Sequence, residues 1–350
     1  MNARRVLAAI LAAVSVSACS RGETSDGDVR LSDVKLTGAG SSFAYPLYSR
    51  WASDYFARTG TQVNYQSKGS GAGIRQLSEM TIDFGGTDAP MTPEEMSKAK
   101  GGPVLHIPVA MGAVVVAYNL PEVSTQLKLT PAAIAGIFLG HITKWNDKQI
   151  ASLNPGVALP NRDIIVVHRS DGSGTTFIWT EYLAKVSPEW AKQVGKGKEV
   201  KWPVGLGGAQ NEGVSGQVKQ LPGAVGYVEL AFARQNQLSY AAVKNAKGKF
   251  ISPSIESVTA AAAAIAAGLP EATDYRVSII DAPGADAYPI SSMTWALLYQ
   301  NQTDKAKGKE LVKFLKYGLT EGQASAKELD YAPLPSAMVT RLLKRLDTVK

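Results

Sequence analysis

Three times along this 350-residue chain, a short turn rich in serine, threonine and glycine opens directly into a helix-like stretch. The turns are Gly40-Ser41-Ser42-Phe43, Lys68-Gly69-Ser70-Gly71-Ala72-Gly73 and Asp171-Gly172-Ser173-Gly174-Thr175-Thr176. Leu36 to Gly40 reads as a strand ending at the first turn. Phe43, Leu47, Tyr48, Trp51 and Tyr55 then recur at helical spacing until Gly60. Gln62 to Gln66 alternates like a strand, Gly71 to Met80 reads as a short helix, and Ile82 to Phe84 as a further strand. Ile164 to His168 is a strand delivering the third turn, with a helix over Thr176 to Lys185. Elsewhere, Val109 to Tyr118 is a strongly apolar strand. Thr130-Pro131 opens a helix closed by Gly140. Glu310 to Tyr317 and Ala337 to Leu346 are amphipathic helices. The Ala-rich stretch 260–267 reads as helix, with Ser252 as N-cap, Pro253 in the first turn and Gly268 as the stop. This alternation confines the fold to α/β layers, helices packed on mixed sheets. Such folds collect ligands at strand ends, where helices begin.

The N-terminal end obeys a different logic. Arg4 and Arg5 form a positive head, and Val6 to Ala18 is an apolar run too short to cross a bilayer as a helix. Small residues follow and end at Val16-Ser17-Ala18-Cys19. Residues 1–18 therefore read as a secretory signal peptide. Cys19 is the one cysteine, so no disulfide can form within the chain. Its position matches a bacterial lipobox, where the thiol is acylated and becomes the new N-terminus. Ordinary cleavage with a bystander thiol is the alternative, and free thiols are uncommon in exported chains. Residues 19–30 then serve as a polar tether.

Removing residues 1–18 deletes two arginines and no acids, which takes the formal net charge from +7 to +5. Basic residues are scattered except for Lys192, Lys196, Lys198 and Lys201, which sit among glycines as a solvated loop. No basic stripe on a recognisable module is present, which argues against nucleic acid as a partner. A mild positive field suits a small anion. Hydrophobic residues make up 45% and charged residues 19%, enough to bury a sizeable core.

The three turns share a chemistry. Backbone N–H groups in the first turn of a helix have no partner within it, and they sit at the positive end of its dipole. Glycine lets an anion approach that backbone, and serine or threonine hydroxyls add donors. Taken singly, the first two turns read equally as an N-cap with a tight turn. The third is more telling, because the preceding strand delivers Arg169 beside it. Arg169 offers planar, paired donors to an oxyanion, and Asp171 can pair with its guanidinium. No Gly-Lys-Ser/Thr follows, so this is no Walker A loop.

Asp83-Phe84-Gly85-Gly86-Thr87-Asp88-Ala89-Pro90 adds a carboxylate. Phosphate near neutral pH still carries a proton that it can donate to Asp88, and sulfate carries none. Two unit charges ~4 Å apart at an effective dielectric of about 20 repel by roughly 4 kcal/mol, on the order of a thousandfold in affinity. One aspartate can thus separate two ions of one shape by rejecting the wrong one. A turn-forming residue before Ala89-Pro90 is the other reading, and spacing alone leaves both open.

These segments together resemble the phosphate-binding proteins of the phosphate-specific ABC importer (PstS). The likeness runs from about Leu31 to Leu346. It covers Thr37 to Phe43, Val63 to Gly73, Asp83 to Pro90, Arg169 to Thr176, the run Val200 to Glu229 and Leu329-Asp330-Tyr331-Ala332-Pro333-Leu334-Pro335. The resemblance implies a type II periplasmic-binding-protein fold of two lobes, with mixed sheets flanked by helices and a ligand cleft between the lobes. Residues 31–115 plus 283–350 would form lobe 1 and 116–282 lobe 2, with hinges near 116–119 and 282–289. It also implies phosphate ligands: the hydroxyl of Ser42, where the family usually has threonine; the backbone N–H of Phe43; the hydroxyl of Ser70; Asp88 as proton acceptor; Arg169; and Ser173, Gly174 and Thr175 at the third helix start. Asp171 matches the arginine's carboxylate partner.

The function so implied is capture of inorganic phosphate in the periplasm and delivery to the permease of an ABC importer, whose permease and ATPase subunits are the partners. The chain would be a monomer held to a membrane through lipidated Cys19, a variation on the family's soluble form. No cofactor, metal or catalytic residue is expected. A secreted phosphatase would need a nucleophile with a base or a metal pair. His106, His141 and His168 are widely spaced and read as structural or surface residues, and no Gly-x-Ser-x-Gly or His-Glu-x-x-His occurs. A surface sensor using the same cleft, and a binder of sulfate, are the other competitors; Asp88 argues against the last.

Overall fold

The computed structural model describes residues 32–266 and 274–350. Residues 1–18, Cys19, the tether to residue 30, Leu31 and Gly268, all named above, lie outside them.

One strand organises the molecule. Val104–Tyr118 is buried along nearly all of its 15 residues. At about 3.3 Å per residue it runs for roughly 50 Å, far beyond an ordinary strand. From Val104 to Ala113 it pairs antiparallel with Ser291–Tyr299. From Val114 to Tyr118 it pairs antiparallel with Ala224–Glu229. Beyond Ser291–Tyr299 the sheet continues through Phe84–Thr87, Lys35–Gly40 and Gln62–Ser67. Beyond Ala224–Glu229 it continues through Ile165–Arg169 and Leu206–Gly208. Both outer wings contain parallel pairs linked by helices. A proline inside this central strand is accommodated by a register shift: Thr294 faces Ala110 while Trp295 faces Pro108. The bulge absorbs the missing ladder donor of Pro108.

Each wing packs its own aromatic cluster, which is what makes two lobes of one sheet. Tyr48 lies 4.3 Å from Tyr65 and 5.6 Å from Phe84 between ring centres, and Phe84 lies 6.0 Å from Phe314. On the other side Phe138, Trp179 and Tyr227 cluster, with Trp179 and Tyr227 5.0 Å apart and nearly parallel and Phe138 tilted against both. Trp51 on the Tyr45–Thr59 helix is fully buried and donates to the Gly322 carbonyl at 2.8 Å. Its truncation to alanine would cost about 3–5 kcal/mol.

The helix that follows the first turn stops where expected, at Gly60 with φ +70. Two other expectations shift. The strand read at Ile82 to Phe84 is Phe84–Thr87. Asp83 is spent instead on the Thr37 backbone N–H (2.7 Å) and hydroxyl (2.9 Å). The glycines that hide this strand are required by close approach, since a Cβ on Gly86 would lie 2.0 Å from the Tyr65 hydroxyl. Ser252 is not the cap of the Ala-rich helix, which starts at Ile255. Ser254 and Ser257 cap it reciprocally: the Ser257 N–H donates to Ser254 Oγ (3.2 Å) and the Ser254 N–H to Ser257 Oγ (2.9 Å). Ser252 donates to Gln126 instead.

Candidate functional site

The three turns meet at the middle of the sheet. Lys35–Gly40 and Phe84–Thr87 are parallel neighbours, so the residues after each strand emerge at the same end. Ser41, Ser42 and Phe43 follow the first strand, and Asp88 follows the second. Ser70 begins the Ser70–Ser78 helix beside them. From the other lobe come Arg169, at the end of Ile165–Arg169, and the Gly174–Val186 helix capped by Ser173. Gly174 lies directly against the first lobe: a Cβ there would be 2.5 Å from Ser70 Oγ and 2.6 Å from Asp88 Oδ2. Ser42, Phe43, Ser70, Asp88, Arg169, Ser173 and Thr175 are all buried.

Among the described residues, no cationic side chain lies within hydrogen-bonding reach of Asp88. Ser41 (2.5 Å) and Thr294 (2.7 Å) both donate to Oδ1, while Oδ2 meets only a long 3.4 Å contact from Ser70. The Asp88 N–H donates to Ser70 Oγ at 3.2 Å. Burial pushes the carboxyl up to about 6, against the pull of the Ser41 and Thr294 hydrogen bonds, the Arg169 charge and Ser70. Oδ1 is saturated; Oδ2 is left as an acceptor facing Gly174.

Arg169 is buried and gripped through its guanidinium. Its Nε and Nη2 donate to the two oxygens of Asp171 at 2.7 and 2.6 Å, and Nη1 reaches Thr175 Oγ1 at 3.3 Å. The Tyr227 hydroxyl, itself bonded to Thr176, accepts the Arg169 backbone N–H at 3.0 Å. Burial would raise Asp171, yet the Arg169 hydrogen bonds and charge and the Gln210 N–H (2.8 Å) hold it below the usual carboxylate range. Ser173 Oγ accepts the Thr176 N–H at 2.9 Å, and the Ser173 N–H goes to the Lys198 carbonyl. The N–H groups of Gly174 and Thr175, in the first turn, have no acceptor within their helix.

Contacts across the cleft hold the two lobes together. The Gly71 N–H donates to the Gly172 carbonyl at 2.8 Å, and Gln210 Nε2 to the Ser67 carbonyl at 2.7 Å. Lys198 pairs with Glu95 at 2.6 Å, and Arg234 with Asp330 at 2.6 Å. Gln210 begins its helix with φ +63, a left-handed backbone that costs roughly 1–2 kcal/mol outside glycine.

Four participants were not singled out for a role from sequence. Ser41 lies inside a noted turn, but only the fold aims it at Asp88. Thr294 sits in an apolar strand without local signal. Asn211 and Tyr227 lie in the run Val200 to Glu229. The histidines have separate duties. His106 Nε2 accepts the Met91 N–H, and its burial first, then the Arg276 charge, drives it down to about 4. His141 pairs with Glu189, and His168 stacks on Trp202 at 4.7 Å. Among the described residues no group of three or more His, Cys, Asp or Glu side chains is placed to hold a metal ion. No helix among them is long and apolar enough to cross a membrane.

A bilobed α/β sheet with buried hydrogen-bond donors converging from both lobes is the architecture of periplasmic-type solute-binding proteins. The model for the PBP superfamily domain matches residues 14–320. A phosphate-binding protein PstS of Xylella fastidiosa is 48% identical over 310 residues, 88% of this chain and 84% of that one. That of Pasteurella multocida is 46% identical over 308 residues, 88% of each chain. The chain belongs to the PstS family of phosphate-binding proteins within that superfamily. Solved structures share the fold at lower identity. A high-affinity periplasmic phosphate-binding protein solved with phosphate superposes with a TM-score of 0.71 at 20% identity, over 88% of this chain and 93% of that one. A phosphate-binding protein from Stenotrophomonas maltophilia gives 0.67 at 20% identity, over 89% and 94%.

Proposed function

We propose that this protein binds inorganic phosphate between its lobes and hands it to the permease of an ABC phosphate importer, with no covalent chemistry. The observation that carries the reading is the asymmetry of the cleft. Guanidinium, helix-start N–H groups and hydroxyls supply donors, and a single oxygen, Asp88 Oδ2, accepts without a strong protein donor of its own. Such a site fits a tetrahedral oxyanion that still carries a proton. Ser42, Phe43, Ser70, Asp88, Arg169, Ser173, Gly174 and Thr175 are the proposed ligands, with Asp171 holding Arg169 in line.

The proposed lobes are 31–115 with 283–350, and 116–282. The change of partner along Val104–Tyr118, from Ser291 opposite Ala113 to Glu229 opposite Val114, puts the passage between the wings a few residues before the proposed hinge at 116–119. Opening about it would separate Gly172 from Gly71 and Gln210 from Ser67, and release the ion to the permease. The leader composition supports export to the periplasm, and Cys19 is the proposed lipid attachment that keeps a monomer at the membrane. Its test is the membrane fraction: Cys19→Ser should move the protein to the soluble fraction, and continued pelleting contradicts the lipid.

Uptake tests the main reading. A strain deleted for this protein should lose high-affinity phosphate uptake, regain it with the wild-type chain, and fail to regain it with Arg169→Ala. Unchanged uptake in the deletion strain contradicts the transport role. Phosphate release from an ester by the purified protein would favour an enzyme.

A further inference from the structure

Asn211 is fully buried, and its side chain and backbone N–H bridge both lobes. Nδ2 donates to Ser42 Oγ at 2.9 Å and to Thr175 Oγ1 at 3.2 Å. Its own backbone N–H donates to Ser42 Oγ at 3.1 Å, and Oδ1 accepts the Glu229 N–H at 3.0 Å. The Glu229 N–H can only donate, so it fixes the amide with oxygen towards Glu229 and nitrogen towards the two hydroxyls.

A hydroxyl oxygen has two lone pairs and one proton. Ser42 Oγ receives the backbone N–H of Asn211 and one N–H of its Nδ2. Thr175 Oγ1 receives Arg169 Nη1 and Asn211 Nδ2. With two donors pointing at each oxygen, neither hydroxyl has an acceptor role left, and each must send its proton elsewhere. Serine makes this control more necessary at position 42, because it lacks the β-branch that stiffens threonine.

We propose that Asn211 is a positioning residue: it commits the hydroxyls of Ser42 and Thr175 to donate to the bound ion, and for Ser42 it does so only when the lobes meet. Ser42 belongs to one lobe, and Thr175 and Asn211 to the other. The strained Gln210, tied to Asp171 and to the Ser67 carbonyl, sets the angle at which Asn211 enters the cleft. This inference rests on the phosphate reading above.

Calorimetric titration with inorganic phosphate tests it in four proteins: wild type, Asn211→Ala, Ser42→Ala/Thr175→Ala, and the triple variant. Loss of two oriented hydrogen bonds should weaken Asn211→Ala by roughly tenfold to a hundredfold. In the background lacking both hydroxyls, the same substitution should cost less than about twofold, because nothing remains to orient. Small-angle scattering at saturating phosphate should show Asn211→Ala contracting as far as wild type, since the other cross-cleft bonds remain. An equal loss in both backgrounds, an unchanged affinity for Asn211→Ala, or failure of that variant to contract each overturns the proposal. If the alanine variant does not fold, Asn211→Ser, which reaches neither hydroxyl, goes through the same cycle. A wild type that binds no phosphate overturns the phosphate reading itself; a wild type that binds, with an additive cycle, overturns only the role of Asn211.

Discussion

The floor of the cleft and its guanidinium wall each hold one aspartate, and the two are driven in opposite directions. Asp88 is buried among the hydroxyls of Ser41, Ser70 and Thr294, and burial lifts its carboxyl to about 6. Asp171 is partly exposed, clasps Arg169 through both oxygens, and is held below its usual range. The difference teaches where the site stores instability. Asp171 stabilises the fold and aims a cation. Asp88 costs the ligand-free fold stability and, on the proposed reading, keeps an acceptor ready for a protonated guest, the kind of local compromise expected at functional sites.

The comparison breaks most visibly at the wall. Arg169→Ala removes the site's charge-assisted donors and leaves Asp171 without its partner. Phosphate affinity should fall by about a thousandfold, at roughly 1.5–3 kcal/mol per bond to a charged group. Calorimetry reporting an unchanged affinity contradicts the assignment.

At the floor, Asp88→Asn should act on selectivity. Removing the carboxylate relieves its repulsion of sulfate, so the phosphate-to-sulfate affinity ratio should drop by on the order of a hundredfold. Competition titrations showing an unchanged ratio would remove Asp88 from the account of selectivity.

Stability of the ligand-free protein sharpens the contrast further, because the two aspartates should carry opposite signs. Asp88 has a folded pKa above its unfolded value. Its carboxyl therefore favours the fold most below about pH 4, and that contribution is lost as pH rises through about 6. Asp88→Asn should then stabilise the protein at pH 7 by on the order of 3 kcal/mol, with the gain gone near pH 4. Asp171 is depressed, so its stabilisation is present above the usual carboxylate range and lost as pH falls through its folded value. Asp171→Asn should lower stability at neutral pH and matter little in strong acid. Denaturant melts at several pH values check both, and equal signs would contradict the contrast.

The smallest effect belongs to the rim. Lys198→Ala removes the 2.6 Å pair with Glu95 across the cleft. A partly exposed pair is worth about 0.5–1 kcal/mol, so phosphate affinity should weaken about threefold, and less in high salt. A loss that ignores salt would point to packing instead.

Much of this was legible in the chain. The three turns are local signals, and their chemistry needs only a helix start, a glycine and a hydroxyl. Arg169 and Asp171 are two residues apart, so their pairing could be anticipated. The α/β alternation likewise follows from periodicity. What sequence hides is long-range. The strand read from sequence ends at Phe84, because the glycines after it are depleted in strands, whereas Tyr65 requires the space they leave. The full reach of Val104–Tyr118 is masked by Pro108, which a bulge accommodates. Thr294 stands 206 residues from the carboxylate it touches, and no local pattern reports that. Asn211 reads as an ordinary polar residue at a helix start, and only the meeting of two lobes gives it Ser42.

The central claim is that the cleft distinguishes an ion by the proton it carries. Side-by-side calorimetric titration of the wild-type protein with phosphate and sulfate at neutral pH tests it most directly. The account predicts one saturable phosphate site and sulfate binding at least about a hundredfold weaker. Sulfate binding within about tenfold of phosphate would contradict it, because a buried acceptor at Asp88 Oδ2 could not then be facing the ion.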